Sequence, residues 1–333
     1  MSVTRKASAE ACANIALIKY WGKRDAERHL PCNGSISLAL SDLRTVTTVA
    51  VDSDLLADSL SLDGRPASPS ELARLSSVVG PLRRHSGRCA FLRVESVNHF
   101  PTAAGLASSA AGFAALALAA ADALEVSLDA PALSRLARVG SGSACRSVPG
   151  GWAEWHAGSD PDGLDSYATQ IAPPDHWDLR VMVALVATGP KAVASGAGMA
   201  NTVATSPFYA GWLQGVAEDL PVARAAILAR DFTVLGEAAE RSCLRMHGSM
   251  LGAVPPLLYW QPATIAVMQA VWHWRQEGLP CFFTIDAGPN VKVFCPRDSA
   301  DEVERRLKFV PGVSGVRASG PGQGVALTDA HLF

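Results

Sequence analysis

Apolar and polar positions alternate along Phe91-Leu92-Arg93-Val94-Glu95-Ser96-Val97, which predicts a strand with one buried face. A run of small residues, Pro101 to Gly112, follows it and leads into the Ala/Leu-rich segment Phe113 to Leu124, whose spacing predicts a helix. Strand, small-residue turn and helix in that order leave the first helical N–H groups without intrahelical partners, which is anion-binding chemistry. Small side chains at Ala103, Ala104, Gly105 and Ala107 admit a phosphate chain to the backbone, and Ser108 and Ser109 offer hydroxyls to phosphate or to Mg²⁺. The same two serines would also suit a plain helix cap. Neither the Walker pattern GxxxxGK[ST] nor GxGxxG occurs in this stretch.

The same patterning places the other elements. A hydrophobic strand ends in Asn14 to Ile18, and a turn at Leu30 to Gly34 precedes Ser35 to Leu40 and Thr45 to Val51, read as a hairpin or meander. Helical spacing covers Glu71 to His85, Leu133 to Val139, a long region with Thr202 near its start, Asp231 to Met250, Ala263 to Trp274 and Asp298 to Lys308. Strands are expected at Leu179 to Val186, on both sides of a turn within Phe282 to Phe294, and at Val325 to Leu327; Asp52 to Ser70 reads as a surface excursion. The proline-containing passage Gly158 to Trp177 suggests two domains, residues 1–177 and 178–333.

With 333 residues, 49% of them hydrophobic and 18% charged, the chain can fill two cores. A net charge of −2 argues against a general nucleic-acid or anionic-membrane binder, so cations for a polyanionic ligand must be local. Seven scattered cysteines without C-x-x-C spacing read as reduced thiols in a cytoplasmic protein, and the polar N-terminus carries no evident signal peptide. The uncharged run Ala103 to Ala121 is mostly Ala, Gly and Ser and reads as a buried helix, not a membrane span.

Three further stretches carry chemistry. Lys19, Tyr20, Trp21 and Lys23 follow the first strand, where two ammonium groups and a hydroxyl would clamp a diphosphate; a solvated basic loop has the same composition. In Gly140-Ser141-Gly142-Ser143-Ala144-Cys145-Arg146, two hydroxyls precede a guanidinium fork suited to a carboxylate, or to a salt bridge within the loop. Asp286 ends an apolar strand, so its carboxylate has a structural partner, an Asx-turn, or a chemical task. His247, alone among apolar neighbours, reads as a core or pocket-edge residue, and the Tyr259-Trp260 and Trp272-His273-Trp274 aromatics read as packing.

The stretch 101–112 resembles the phosphate loop of the GHMP small-molecule kinase superfamily, with Ala107 where Gly is usual. That departure, with Asn-Ile-Ala-Leu-Ile-Lys-Tyr-Trp-Gly-Lys at 14–23, Leu-Pro-Cys-Asn-Gly-Ser-Ile-Ser at 30–37, GSGSACRS at 140–147, GGWAEW at 150–155 and T-x-DAGPN at 284–290, resembles the mevalonate diphosphate decarboxylase branch. The resemblance implies an α+β GHMP kinase fold, with an N-terminal domain like domain 2 of ribosomal protein S5 and a ferredoxin-like C-terminal domain. It implies ATP and Mg²⁺, a homodimer, and conversion of mevalonate 5-diphosphate to isopentenyl diphosphate through 3-phosphorylation. Carried over residue by residue, Asp286 faces the substrate hydroxyl, Arg146 the carboxylate, and Ser109 the reacting phosphate. Asn98, Gly105, Leu106, Ala107, Ser108 and Ser109 form the ATP set, with Ser108 a candidate Mg²⁺ ligand. Lys19, Tyr20, Trp21, Lys23, Ser141, Ser143, Arg146 and Ser195 form the substrate set, and Asn33 and Ser35 stand at its edge. Gly196 replaces an Arg of some relatives, with Lys191 a candidate substitute. This leaves open a mevalonate 5-phosphate decarboxylase, a 3-kinase without decarboxylation, and a nucleotide-binding regulatory module.

Overall fold

The apolar N-terminal run folds as a strand, β1 (Lys6–Ile18), of which all residues but Lys6 and Glu10 are buried. These coordinates are a computed structural model that describes residues 5–87, 90–100, 108–187, 189 and 193–333. Beyond β1 the chain forms a small hairpin, β2 (Lys23–Asp25) with β3 (Leu30–Pro31), and then β4 (Ser35–Asp52). The expected hairpin over 35–51 is absent: β4 is one continuous strand. Its register against β1 shifts between the Cys12↔Arg44 and Asn14↔Ala39 pairs, so the strand bends there without turning back. The bend lets one strand serve two neighbours. Ser35 to Leu38 pairs with β8 (Trp152–Trp155), and Thr45 to Asp52 pairs with β7 (Phe91–Asn98).

The expected surface excursion also joins this sheet. Within it β5 (Ser59–Leu62) lies parallel to β7 and antiparallel to β6 (Arg65–Pro66). The next helix, α1 (Pro69–Ser86), is started by a capping box between Ser68 and Glu71 and stopped at Gly87, whose φ of 68° suits the left-handed cap. Past β7, α2 (Ser108–Ala123) is buried through its alanines and packs flat on β1 and β4. Then come α3 (Ala130–Gly140), a 3₁₀ turn at Gly142–Ser147, β8, and β9 (Ala168–Ala172), which pairs β8.

The second sheet has the order β11-β12-β10-β13: β10 (Leu179–Leu185), β11 (Phe282–Ile285), β12 (Val291–Pro296) and β13 (Gly315–Ser319), all antiparallel. Between β10 and β11 run α4 (Ser195–Thr205), α5 (Tyr209–Ala229), α6 (Phe232–Leu251) and α7 (Pro262–Gln276), and α8 (Ala300–Lys308) follows β12. Val267, Val271, Phe283, Val293 and Val303 are among the residues filling the core between α7, α8 and this sheet. The chain then returns to the first sheet. β14 (Ala326–Leu327) pairs β1, and Ser41 N donates to Gly320 O at 3.0 Å. The result is the mixed α and β architecture expected from the motifs. No helix among the described residues is long and apolar enough to cross a membrane.

Burial pushes the thiols of Cys12 and Cys243 up to about 11 and those of Cys145, Cys281 and Cys295 up to about 12. These five stay protonated at pH 8, and iodoacetamide should leave them unmodified in the folded protein while labelling them after urea unfolding. Mass spectrometry reads the result; alkylation of Cys145 before unfolding would contradict the burial described.

Candidate active site

Because β1 remains buried to its end, the chain leaves it inside the molecule, and Lys19, Tyr20 and Trp21 emerge into a cavity of about 450 Å³. One wall comes from the first sheet and its helices, and the other from α4, α6 and the turn after β11. Of the residues singled out in the sequence, Lys19, Tyr20, Trp21, Lys23, Ser109, Ser141, Ser143, Arg146, Ser195 and Asp286 all line it. The acid from the later half and the serine after the small-residue turn therefore share one space.

Asp286 sits one residue beyond β11, in a tight bend closed by Gly288 N donating to Asp286 O at 2.7 Å. Its side chain is 25% exposed and lies between two buried ammonium groups, Lys19 Nζ at 2.6 Å from Oδ1 and Lys292 Nζ at 3.4 Å from Oδ2. Lys19 also donates to Ala16 O at 2.8 Å, and Lys292 to Asn290 O at 3.3 Å. The Lys19 ammonium thus meets the acid as well as lining the cavity. Lys292, two residues past the Asp-Ala-Gly-Pro-Asn run, was read only as strand. The register of β11 with β12 sets Lys292 opposite Thr284, two residues before the acid, so both side chains fall on one face. Burial lowers the Lys292 pKa, and the Asp286 charge offsets part of that loss.

α6 braces this corner. Ser242 Oγ accepts from Lys19 N at 3.0 Å, and Cys243 Sγ accepts from Ile285 N at 3.2 Å. His247 packs against Trp260 and touches Ile285 O at 3.3 Å, and burial, reinforced by Lys19, pushes its pKa down to about 3, so it is a neutral core group.

Arg146, in the 3₁₀ turn, is only 3% exposed. Its Nε donates to Asn14 Oδ1 at 3.1 Å and its Nη1 to Ser35 Oγ at 2.7 Å, and no carboxylate pairs with it among the described residues. Burial lowers its pKa. Asn14 completes the hold by donating to Ser147 Oγ at 2.8 Å and Ser143 O at 3.0 Å. A lone Asn in an apolar strand was the sequence signal for that bracket. Asn33 donates to Lys19 O at 2.7 Å, so the Leu-Pro-x-Asn turn fixes the strand end.

Tyr20 stacks edge-on against Trp155 with centroids 4.7 Å apart, and its buried hydroxyl lacks a hydrogen-bond partner among the described residues. A Cβ at residue 142 would stand 3.0 Å from that hydroxyl and 3.2 Å from the Trp155 ring, so Gly142 lets the Ser141–Ser143 backbone pass close to both rings without displacing them. Trp21 is mainly core, edge-on to Tyr259 at 6.4 Å. Ser195 opens α4 at the cavity edge, and a Cβ at Gly196 would meet nothing within 4 Å.

A second cavity, about 510 Å³, adjoins the first; Arg74 and Ser109 line both. Leu60, Leu62, Val94, Phe113 and Leu116 give it an apolar side, and Ser108 and Asn98 stand near the start of α2. An apolar cleft ending at a helix N-terminus suits a nucleotide, with its phosphates toward the helix. Ser109 Oγ lies 3.4 Å from Ser141 Oγ, which ties this cleft to the substrate loop. Asn98 lines this cleft with its side chain held at both ends: Nδ2 donates to Asp63 Oδ2 at 3.0 Å and Oδ1 accepts from Thr45 at 2.7 Å. Gly105, Leu106, Ala107 and Lys191 lie outside the described residues. Sequence reasoning missed Arg74 and His29, which also line the first cavity.

Two family models match the chain, a diphosphomevalonate decarboxylase-like N-terminal domain over residues 11–168 and a mevalonate 5-diphosphate decarboxylase C-terminal domain over residues 181–317. Diphosphomevalonate decarboxylase of Candida albicans is 39% identical, covering 92% of this chain and 90% of its own, and the Homo sapiens enzyme is 38% identical, covering 92% and 81%. Among solved structures, the Staphylococcus aureus mevalonate diphosphate decarboxylase superposes with a TM-score of 0.93 at 40% identity, covering 98% of this chain and 99% of that one. A complex of MDDEF with MVAPP, AMPPCP and magnesium gives 0.90 at 43% identity, covering 98% and 99%.

Proposed function

Because the chain belongs to the mevalonate diphosphate decarboxylase family, we propose that it converts mevalonate 5-diphosphate and ATP to isopentenyl diphosphate, ADP, phosphate and CO₂ by the residues described. The activity is ATP-dependent decarboxylation with Mg²⁺, on a GHMP kinase fold. The observation that carries the residue assignment is the buried Arg146, which forms no salt bridge among the described residues and shares a cavity with Asp286 and Ser109. A buried cation of this kind is costly unless an anion completes it, and the substrate carboxylate is such an anion.

ATP lies in the apolar cleft with its γ-phosphate at Ser109. The Ser108 and Ser109 hydroxyls would offer Mg²⁺ oxygen donors of the kind it takes, and the ion would there offset phosphate charge. Asp286 accepts a hydrogen bond from the C3 hydroxyl, orients it in line with the γ-phosphorus and receives its proton as the C3 oxygen–phosphorus bond forms. ADP leaves. The C3–O bond then breaks with its electron pair going to phosphate, while the C–C bond to the carboxylate breaks and its pair forms the alkene, releasing CO₂. Arg146 holds the carboxylate in the geometry for that loss. Lys19 and Lys292 act through Asp286 as positioning residues.

Gly196 supports a second reading, preference for the 5-monophosphate, since it places no cation at the start of α4. Incubation with Mg-ATP and, separately, mevalonate, its 5-phosphate and its 5-diphosphate distinguishes them. The account expects ADP, phosphate and CO₂ in equal amounts with the 5-diphosphate; ADP without CO₂ would overturn decarboxylation, and turnover confined to the 5-phosphate would favour the second reading. We also assign a cytoplasmic homodimer and a division near residue 177, supported by the unpaired described cysteines and the two sheets; light scattering against the 34.8 kDa chain mass tests the dimer.

A further inference from the structure

Close to one another in the lining of the substrate cavity stand three cationic or basic groups from three elements. They are Lys23 on β2, His29 in the turn before β3 and Arg74 on α1. Asp286 is the single acid in the lining among the described residues, and Lys19 and Lys292 already flank it. The acids on the same elements form ion pairs with other arginines, Glu71 with Arg65 at 2.7 Å and Asp25 with Arg28 at 3.0 Å, and Glu71 also offsets part of the charge of Arg74. Arg138, whose carbonyl also meets the imidazole, directs its guanidinium to backbone carbonyls, Arg28 O and Gly163 O among them.

The hydrogen bonds define how His29 is poised. Its Nδ1 lies 2.8 Å from Val139 O and 3.2 Å from Arg138 O. Carbonyls only accept, so Nδ1 carries the hydrogen and Nε2 is left for the cavity. His29 has a φ of 53°, which aims the ring without help from regular structure. Arg74 spends Nε and Nη2 on Gly140 O, at 3.0 and 2.8 Å, and keeps Nη1 without a protein acceptor among the described residues. Burial lowers the pKa of all three groups; Arg74 lowers that of Lys23 further, and both lower that of His29.

We propose that His29 is a phosphate ligand of this cavity: as the substrate binds, Nε2 takes a proton from buffer and donates, with Lys23 and Arg74, to the outer phosphate of the 5-diphosphate. The chemistry follows from charge. Without a ligand, a third positive charge among two others is disfavoured, and His29 stays neutral near pH 7.5. A phosphate dianion reverses the sign of the local field and favours imidazolium. His29 thereby supplies the charge that Gly196 does not. This inference rests on the proposed substrate, and binding is linked to uptake of a proton above the free-enzyme pKa and not below it.

Calorimetric titration of the protein with mevalonate 5-diphosphate at pH 7.5, in buffers of differing ionisation enthalpy, counts the protons. His29→Gln sets the baseline, because it keeps whatever protonation the diphosphate itself undergoes. The wild type should take up about 0.5–1 proton more than the variant, and the variant should bind roughly tenfold more weakly. Equal proton counts would overturn the proposal even if affinity falls, since a merely structural residue changes affinity alone. Should His29→Gln fail to fold, the His29 ring resonances of ¹³C-labelled wild type must move to the imidazolium position on saturation; an unmoved resonance overturns it. If the 5-diphosphate does not bind at all and is not turned over, the substrate assignment fails first.

Discussion

Asp286→Ala should lower ADP and CO₂ formation together by a factor on the order of 10³ or more, about 4 kcal/mol of transition-state stabilisation, while ATP binding is retained. The reason lies in the bracket around the carboxylate. Lys19 and Lys292 hold it at 2.6 and 3.4 Å on opposite oxygens, so it is fixed as an acceptor in a cavity that Ser109 also lines. Removing it leaves two buried ammonium groups facing one another, which costs stability as well, so Asp286→Asn is the companion variant: same size, same loss of the proton acceptor. Rapid-quench assay of ADP reads the chemical step. ADP release near the wild-type rate in both variants would remove Asp286 from the mechanism.

Arg146→Gln carries the second largest expected effect. The guanidinium is held from behind by Asn14 and Ser35, so the variant keeps a polar group there but loses the charge that faces the substrate carboxylate. Turnover should fall by about 10²-fold or more, with ATP affinity changed by less than about threefold, because the residue stands in the substrate cavity and not in the apolar cleft. A loss confined to nucleotide affinity would contradict that placement. Asn14→Ala tests the bracket independently: it should lower activity without altering which substrate is accepted.

Local patterning announces local elements. The alternation at Phe91 to Val97, the apolar run that ends at Ile285 and the helical spacing of Asp231 to Met250 all reappear as elements with ends shifted by a few residues. Asp286 was legible because a carboxylate at the end of a buried strand demands a partner. Pairing between distant segments was not. Nothing in Ser35 to Asp52 says that one strand bends between two neighbours instead of turning back, since a bulge and a hairpin both interrupt alternation. The short β5 and β6 are too brief to show a period, and they exist because β7 offers an edge. Lys292 was not legible as a site residue, because an apolar run around it reads as strand and only the hairpin between β11 and β12 brings its ammonium to the Asp286 carboxylate. Lys23, His29 and Arg74 converge only through packing of β2, the following turn and α1, and their mutual repulsion is a property of the folded state alone. Asn98 shows the reverse case, a polar residue beside a phosphate turn whose amide the sheet has already claimed.

The most direct test of the central claim is the distance between the Asp286 carboxylate and the C3 hydroxyl in a crystal structure with mevalonate 5-diphosphate, a non-hydrolysable ATP analogue and Mg²⁺. The account predicts an Asp286 oxygen within about 2.6–3.2 Å of the hydroxyl, with that hydroxyl facing the terminal phosphorus. A hydroxyl turned away from Asp286, or an Asp286 still bonded to both lysines with the alcohol beyond reach, would contradict it.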